Sequence, residues 1–226
     1  MLTIIGFLLG GVFKAQALIN SAHVRSLADT TVAVQTAYLG FMDRYRRIPG
    51  DWSALDAGNA IGVPLVGGGN DNGRLDNPPG GALFAENNAL WEQLQQAGFI
   101  RGNYLGAADE PTTDNSLAPL NAFNTVMLVG RTDDYLSSDG PSSVRLNVVV
   151  GRGVPAGVLR ELDVKLDDGR PGLGTLRSAV ADGDVNFFTG SHQWGGSSAE
   201  CTYSDAAGTH WNVVQQIQDC NGVYLF

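Results

Sequence analysis

The sequence predicts an α+β protein: one long N-terminal α-helix packed against a small antiparallel β-sheet, within a loop-rich body. Three observations lead there. Apolar residues keep helical spacing from Ala15 to Tyr45, and no proline occurs before Pro49. Further on, short β-type runs such as 144–150 lie between clusters of turn-forming residues. Glycine supplies 30 of the 226 residues, which suits a body with many loops.

The N-terminal helix starts with an apolar run. Apart from Thr3, residues 2–13 are apolar: Leu2, Ile4, Ile5, Gly6, Phe7, Leu8, Leu9, Gly10, Gly11, Val12 and Phe13, with Lys14 next. As a helix this run is about 18 Å long. A bilayer core is about 30 Å thick and needs about 20 apolar residues, so the run alone is too short to cross. Three readings are open. One is a cleaved secretory signal, with Ala15-Gln16-Ala17 as a small-x-small cleavage site but no basic region ahead of the run. Another is an ordinary buried helix.

The third reading makes the run the first part of a continuous helix, and it rests on the spacing of residues 27–45. Leu27, Thr31, Val34, Tyr38, Phe41 or Met42, and Tyr45 recur in steps of three and four, so they share one face. Arg25, Asp29, Gln35 and Asp43 fall on the opposite face. Such a helix runs to about Arg47, roughly 70 Å, and Pro49-Gly50-Asp51 stops it. Its residues 1–24 are apolar enough to need lipid or sister helices, while 25–48 are amphipathic and pack on a head formed by 49–226.

In the head, residues 52–82 are rich in Gly, Asn, Asp and Pro and read as a long surface loop. A helix over about 88–97 buries Leu90, Trp91, Leu94 and Ala97, with Gly98 at its end. Strands are expected at 125–129 and 144–150. Pro155 opens a helix carrying Val158, Leu159, Leu162 and Leu166, which Asp168-Gly169 ends. Later candidates are 185–188, 210–217 and 223–226. There is no internal repeat.

Composition narrows the function. A net charge of -9, with no basic cluster beyond Arg44, Arg46 and Arg47, argues against nucleic acid as a partner. Those arginines suit the negative end of the helix dipole. Cys201 and Cys220 pair in an oxidising compartment, closing a loop of about 20 residues worth roughly 3 kcal/mol. In the cytosol they are two unrelated buried thiols.

Candidate chemistry is sparse. Asn70, Asp71, Asn72 and Asp76 alternate carboxylate and amide oxygens around Gly73, a composition that suits calcium. The EF-hand pattern lacks its bidentate Glu, and the same residues are good turn formers. Asp167-Asp168-Gly169 poses the same choice and reads as a helix-ending turn. His23, His192 and His210 have no metal-ligand spacing. Ser191-His192 is a chance neighbour pair. Nucleophile elbow, P-loop and dinucleotide fingerprints are missing, and no acid/base pair stands out, so an enzyme is not expected. Trp194, Tyr203 and Trp211 are candidates for an adhesive, sugar-binding surface or for the core.

Four stretches resemble one known family. Ile4-Ile5-Gly6-Phe7-Leu8-Leu9-Gly10-Gly11-Val12-Phe13-Lys14-Ala15-Gln16 is similar to the later part of the N-terminal segment of type IV pilins and type II secretion pseudopilins. Asp43-Arg44-Tyr45-Arg46-Arg47-Ile48-Pro49-Gly50-Asp51 resembles the "DRY-x-x-x-PGD" end of that helix in one subgroup. Asn88-Ala89-Leu90-Trp91-Glu92-Gln93-Leu94 with Ala97-Gly98-Phe99-Ile100 resembles its "ALW-x-x-L" helix, and 162–171 its "LD-x-KLDDG-x-P" segment. The four occur in the family's order, with a cysteine pair near the end. The resemblance implies a pilin-like body and a filament subunit that associates with identical or related subunits. It also implies passage through the bacterial inner membrane, and handling by a prepilin peptidase and a pilus or type II secretion machinery. The final location is then a periplasmic or extracellular filament. Family precursors carry a basic leader, a glycine and about eight further apolar residues with a glutamate ahead of this point. The chain is therefore expected to be trimmed or to begin at an internal methionine. The alternative is a secreted soluble binding or adhesion module whose signal is cleaved near Leu18.

Overall fold

The computed structural model describes residues 2–76, 84–181, 184–186, 193–214 and 217–226; at 2–13, 17, 184–186, 193 and 194 the backbone alone is described. The architecture is α+β, with a long N-terminal helix and small antiparallel sheets.

Helix α1, Leu2–Tyr45, spans 44 residues, or about 66 Å. It ends slightly earlier than the proline predicts, because Arg46 turns left-handed at φ 56° while its N–H still bonds to Met42 O. The apolar stripe falls as the spacing requires. Leu27, Thr31, Val34, Tyr38 and Phe41 are buried, and Met42 and Tyr45 half-buried. Arg25, Asp29 and Asp43 face solvent. Thr31 tolerates burial because its hydroxyl donates to Leu27 O within the helix.

Residues 54–61 correct the expected 52–82 loop. They form helix α2, Ala54–Ile61, opened by Ser53 Oγ accepting Asp56 N–H and closed by left-handed Gly62. It buries Ala57 and Gly58 and, at eight residues, is too short to stand out in a stretch rich in turn-forming residues.

Helix α3, Ala85–Gln96, begins three residues before the predicted start. Leu90, Trp91 and Leu94 are buried as expected, and Ala97 is half-buried. Gly98, at φ 81°, reverses the chain so that Phe99 N–H bonds back to Leu94 O. Helix α4, Ala156–Leu166, comes directly after Pro155 and buries Val158, Leu159 and Leu162.

The main sheet has four antiparallel strands in the order β1-β2-β8-β3. These are β1 Leu128–Thr132, β2 Arg145–Val149, β3 Leu176–Ser178 and β8 Gly222–Leu225. β1 starts later than the predicted 125–129, because Val126 instead makes an isolated bridge to Leu120. Two hairpin ribbons complete the body: β4 Asp184–Asn186 with β5 Gln193–Gly195, and β6 Thr202–Asp205 with β7 Gly208–Trp211. Phe187 and Phe188, read as part of a strand, lie outside the described residues. The segment predicted to extend over 210–217 is strand only as far as Trp211.

Two apolar clusters tie α1 to the head. In one, Val34, Ala37, Tyr38 and Phe41 meet Leu90, Trp91 and Leu94 of α3 and Val129, Val149, Val223 and Leu225 of the sheet. Contact with the sheet runs through β8: Tyr38 stacks edge-on to Phe226 at 5.8 Å, and Tyr224 Oη donates to Gln35 Oε1 at 3.3 Å. In the other, Val24, Leu27 and Ala28 pack with Val158, Leu159, Leu162 and Trp211. Each fully buried Leu, Val or Phe stabilises the docking by about 1.5–3 kcal/mol.

Candidate functional site

The stem, α1, divides where its buried stripe begins, at Val24. Before that point, Lys14, Ala15, Gln16, Asn20, Ser21 and Ala22 are exposed, and so are the apolar Leu18 at 72% and Ile19 at 54%. One hydrogen bond reaches back to the head here, from Ser21 Oγ to Glu161 Oε1 at 3.2 Å. The backbone of 2–13 continues the same helix. The side chains of Leu2, Ile4, Ile5, Phe7, Leu8, Leu9, Val12 and Phe13, and the packing of Gly6, Gly10 and Gly11, lie outside the described residues. Among the described residues, no helix is long and apolar enough to cross a membrane.

The end of the stem is locked to α3 by polar groups. Gly50, at φ 90°, donates its N–H to Gln93 Oε1 at 2.9 Å, and Gln93 Nε2 donates to Trp52 O at 2.9 Å. Arg47 reaches across to Asp71, with Nη1 3.1 Å from Oδ1. Arg46 pairs with Asp43 at 3.3 Å, and Arg44 lies over the Tyr45 ring at 5.1 Å. Two of the sequence stretches, one around 43–51 and one around 88–94, thus meet through Gly50 and Gln93.

Asn70, Asp71, Asn72 and Asp76 sit on a loop organised from below by buried carboxylates. Asp51 accepts Asn72 N–H at 2.9 Å and Gly73 N–H at 2.8 Å. Glu86 accepts Asn70 N–H at 3.3 Å and Asp76 N–H at 2.6 Å. Glu92 accepts Val66 N–H at 3.0 Å and Gly67 N–H at 2.7 Å. The loop's own oxygens are also engaged: Asn70 Oδ1 accepts Asn72 N–H, Asn72 Oδ1 accepts Arg74 N–H, and Asp76 Oδ1 accepts Asn72 Nδ2–H. Burial pushes the Glu86 carboxyl up to about 8, against the Asp76 and Asn70 N–H groups that pull it down. Burial also raises Asp51.

This cradle was not read from the sequence. Glu86, Asn87, Asn88, Glu92 and Gln93 are all buried, so α3 has a polar face turned inward as well as an apolar one. Asn88 Nδ2 donates to Ala107 O and Asp109 O, and Asn87 Nδ2 to Val129 O. The signal available was indirect: a loop with many backbone donors and few apolar anchors needs acceptors, and the next helix carries them.

Among the described residues, the acidic group whose oxygens come within 4.8 Å of one another is Asp163, Asp167 and Asp168. Each already has a donor. Asp163 takes Gly169 N–H at 3.2 Å and Trp211 Nε1–H at 2.7 Å, Asp167 takes Thr175 N–H, and Asp168 takes Arg170 N–H at 2.8 Å. The arrangement is a helix-ending turn around left-handed Gly169. Burial raises the Asp163 carboxyl to about 6.

Cys201 and Cys220 are disulfide-bonded, with Cα atoms 5.7 Å apart, and both are fully buried beside Trp211. Trp211 is 2% exposed and belongs to the core, whereas Tyr203 is 44% exposed. Tyr203 and His210 face each other on the β6–β7 ribbon, and His210 Nε2 lies 3.2 Å from Asp205 Oδ1. His23, expected at a polar position, packs edge-on to Phe123 at 4.7 Å. Ser191 and His192, and the Trp194 side chain, lie outside the described residues. Comparison with protein-family models, curated proteins and solved structures finds no match to this chain.

Proposed function

We propose that this chain is a structural subunit of a type IV pilus or pseudopilus-like filament, assembled through its N-terminal apolar helix. The observation that carries the reading is the division of α1. One face of its second half is buried by the head, while Leu18 and Ile19 stand in solvent on the helix that the apolar run 2–13 begins. A helix apolar on all sides needs lipid or other helices around it.

In this reading the apolar run waits in the inner membrane and then enters a bundle of sister helices, which replace lipid around it. Gly6, Gly10 and Gly11 allow close backbone approach there. The resemblance of the four sequence stretches adds the partners: related subunits, a prepilin peptidase and a pilus or type II secretion assembly machinery. The meeting of Gly50 with Gln93, and of Asp163 with Trp211 beside the disulfide, supports the idea that the similar stretches work as one framework. No catalytic role is proposed.

Replacing Ile5 and Leu9 by Asp in the full-length protein tests the reading. Sedimentable polymer is expected to disappear, while thermal unfolding of the head stays unchanged. Polymer that persists in the double variant overturns the proposal. So does a mature extracellular product that begins near Leu18, which favours a secreted binding module instead.

A further inference from the structure

We propose that Asn72 is a self-modification site, at which the fold converts the Asn-Gly pair 72–73 to aspartate or isoaspartate through a cyclic imide. The chain has two Asn-Gly pairs, 72–73 and 221–222. Such a pair is chemically weak because glycine, having no Cβ, leaves its nitrogen open to the preceding carboxamide. The structure treats the two in opposite ways. Asn72 and Gly73 are exposed, and a Cβ at Gly73 would meet nothing within 4 Å. Asn221 is fully buried, its carboxamide is held by Gly151 N–H at 3.0 Å and by Gly195 O at 2.8 Å, and Gly222 already belongs to β8.

Three polar contacts fall where the reaction needs them. Asp51 Oδ2 accepts Gly73 N–H at 2.8 Å, within reach of a general base for the proton that must leave. Its other oxygen accepts Asn72 N–H at 2.9 Å, which fixes the carboxylate in place. Asp51 is buried, and burial raises its affinity for a proton. Asn72 Oδ1 accepts Arg74 N–H at 2.9 Å, so a donor faces the oxygen that becomes negative in the tetrahedral intermediate. The same bond folds the carboxamide back over the next peptide. Asn72 Nδ2–H donates to Asp76 Oδ1 at 3.1 Å, which makes the departing nitrogen more basic. In the step itself, Gly73 N bonds to Asn72 Cγ and passes its proton to Asp51. The Cγ–Nδ2 bond breaks, and the departing NH2 takes a proton from solvent and leaves as ammonia, while Asp51 returns its own to solvent. Water then adds to the imide and opens it at either carbonyl, so the net change is one water consumed and one ammonia released. The product puts a further carboxylate beside Asp51 and Asp76, and isoaspartate lengthens the main chain there. Both changes loosen the loop whose Asp71 pairs with Arg47 at the end of the stem.

The test is peptide mass mapping of the full chain after weeks of incubation at neutral pH, folded and in guanidinium chloride, with isoaspartate separated by chromatography. Folding ordinarily slows this reaction, because a fixed backbone keeps the nitrogen and the carboxamide apart. Here Asn72 is expected to convert faster in the folded chain than in the unfolded one, while Asn221 converts in the unfolded chain alone. Asp51→Asn is expected to slow conversion at 72 by about tenfold or more, and Asp76→Asn to slow it too. Circular dichroism establishes that each variant is folded. Conversion at 72 that is equal or slower in the folded chain overturns the proposal. So does an unchanged rate in folded Asp51→Asn or, should that variant fail to fold, in Asp76→Asn. None of these residues belongs to 2–13, so failure here leaves the filament reading standing.

Discussion

Gly50 has no room for a side chain. A Cβ there would meet Glu86 O and Leu75 Cδ1, and the backbone sits at φ 90°, where only glycine is unstrained. Gly50→Ala is expected to destabilise the protein by about 2 kcal/mol or more. Chemical denaturation checks this, and an unchanged midpoint would contradict the close approach of stem end and α3. Trp211 makes a second case. Its indole N–H is one of the donors holding the buried Asp163 carboxylate. Trp211→Phe is expected to cost about 1–3 kcal/mol. The loss should be larger at pH 8 than at pH 5, because Asp163 titrates at about 6 and its neutral form needs the donor less.

Helix α3 shows what was and was not legible among the elements. Its apolar positions Leu90, Trp91 and Leu94 announced a buried helix. The inward turn of Glu86, Glu92 and Gln93 did not, since charged residues on a helix ordinarily mark its wet side. Glu86 and Glu92 are buried because the loop over 62–76 brings its N–H groups to them, and Gln93 because it accepts Gly50 N–H, pairings between distant segments that have no local pattern. Helix α2 escaped notice for a different reason: its eight residues lie in a stretch rich in Gly, Asn, Asp and Pro, whose composition reads as loop. Of the sites, the disulfide was one of two readings of Cys201 and Cys220, and the two are bonded. The polar loop 70–76 was recognised as a turn, but its supports at Asp51 and Glu86 were hidden by sequence distance.

Across the entire chain, buried carboxyls set how stability varies with pH. Glu86 is raised from 4.5 to about 8 and Asp163 from 3.8 to about 6. The native state therefore holds protons that the unfolded chain has released, and stability falls as pH rises through that window. Unfolding free energy is expected to decline from pH 5 to pH 8, and Glu86→Gln is expected to flatten the part between pH 6 and 8. Denaturation series at fixed ionic strength check both slopes, and a wild-type profile that rises with pH would refute the assignment.

The position of β8 has a further consequence. Residues 222–225 lie between β2 and β3, so a strand distant in sequence from β2 occupies the interior of the sheet rather than its edge. During synthesis β1 and β2 can join as a pair and Leu136 N–H can reach Ser178 O, but β3 has no sheet strand beside it until those residues emerge. The inner edge of β2 must wait for a strand far along the sequence, so closure of this sheet depends on a long-range pairing and is a late step of folding.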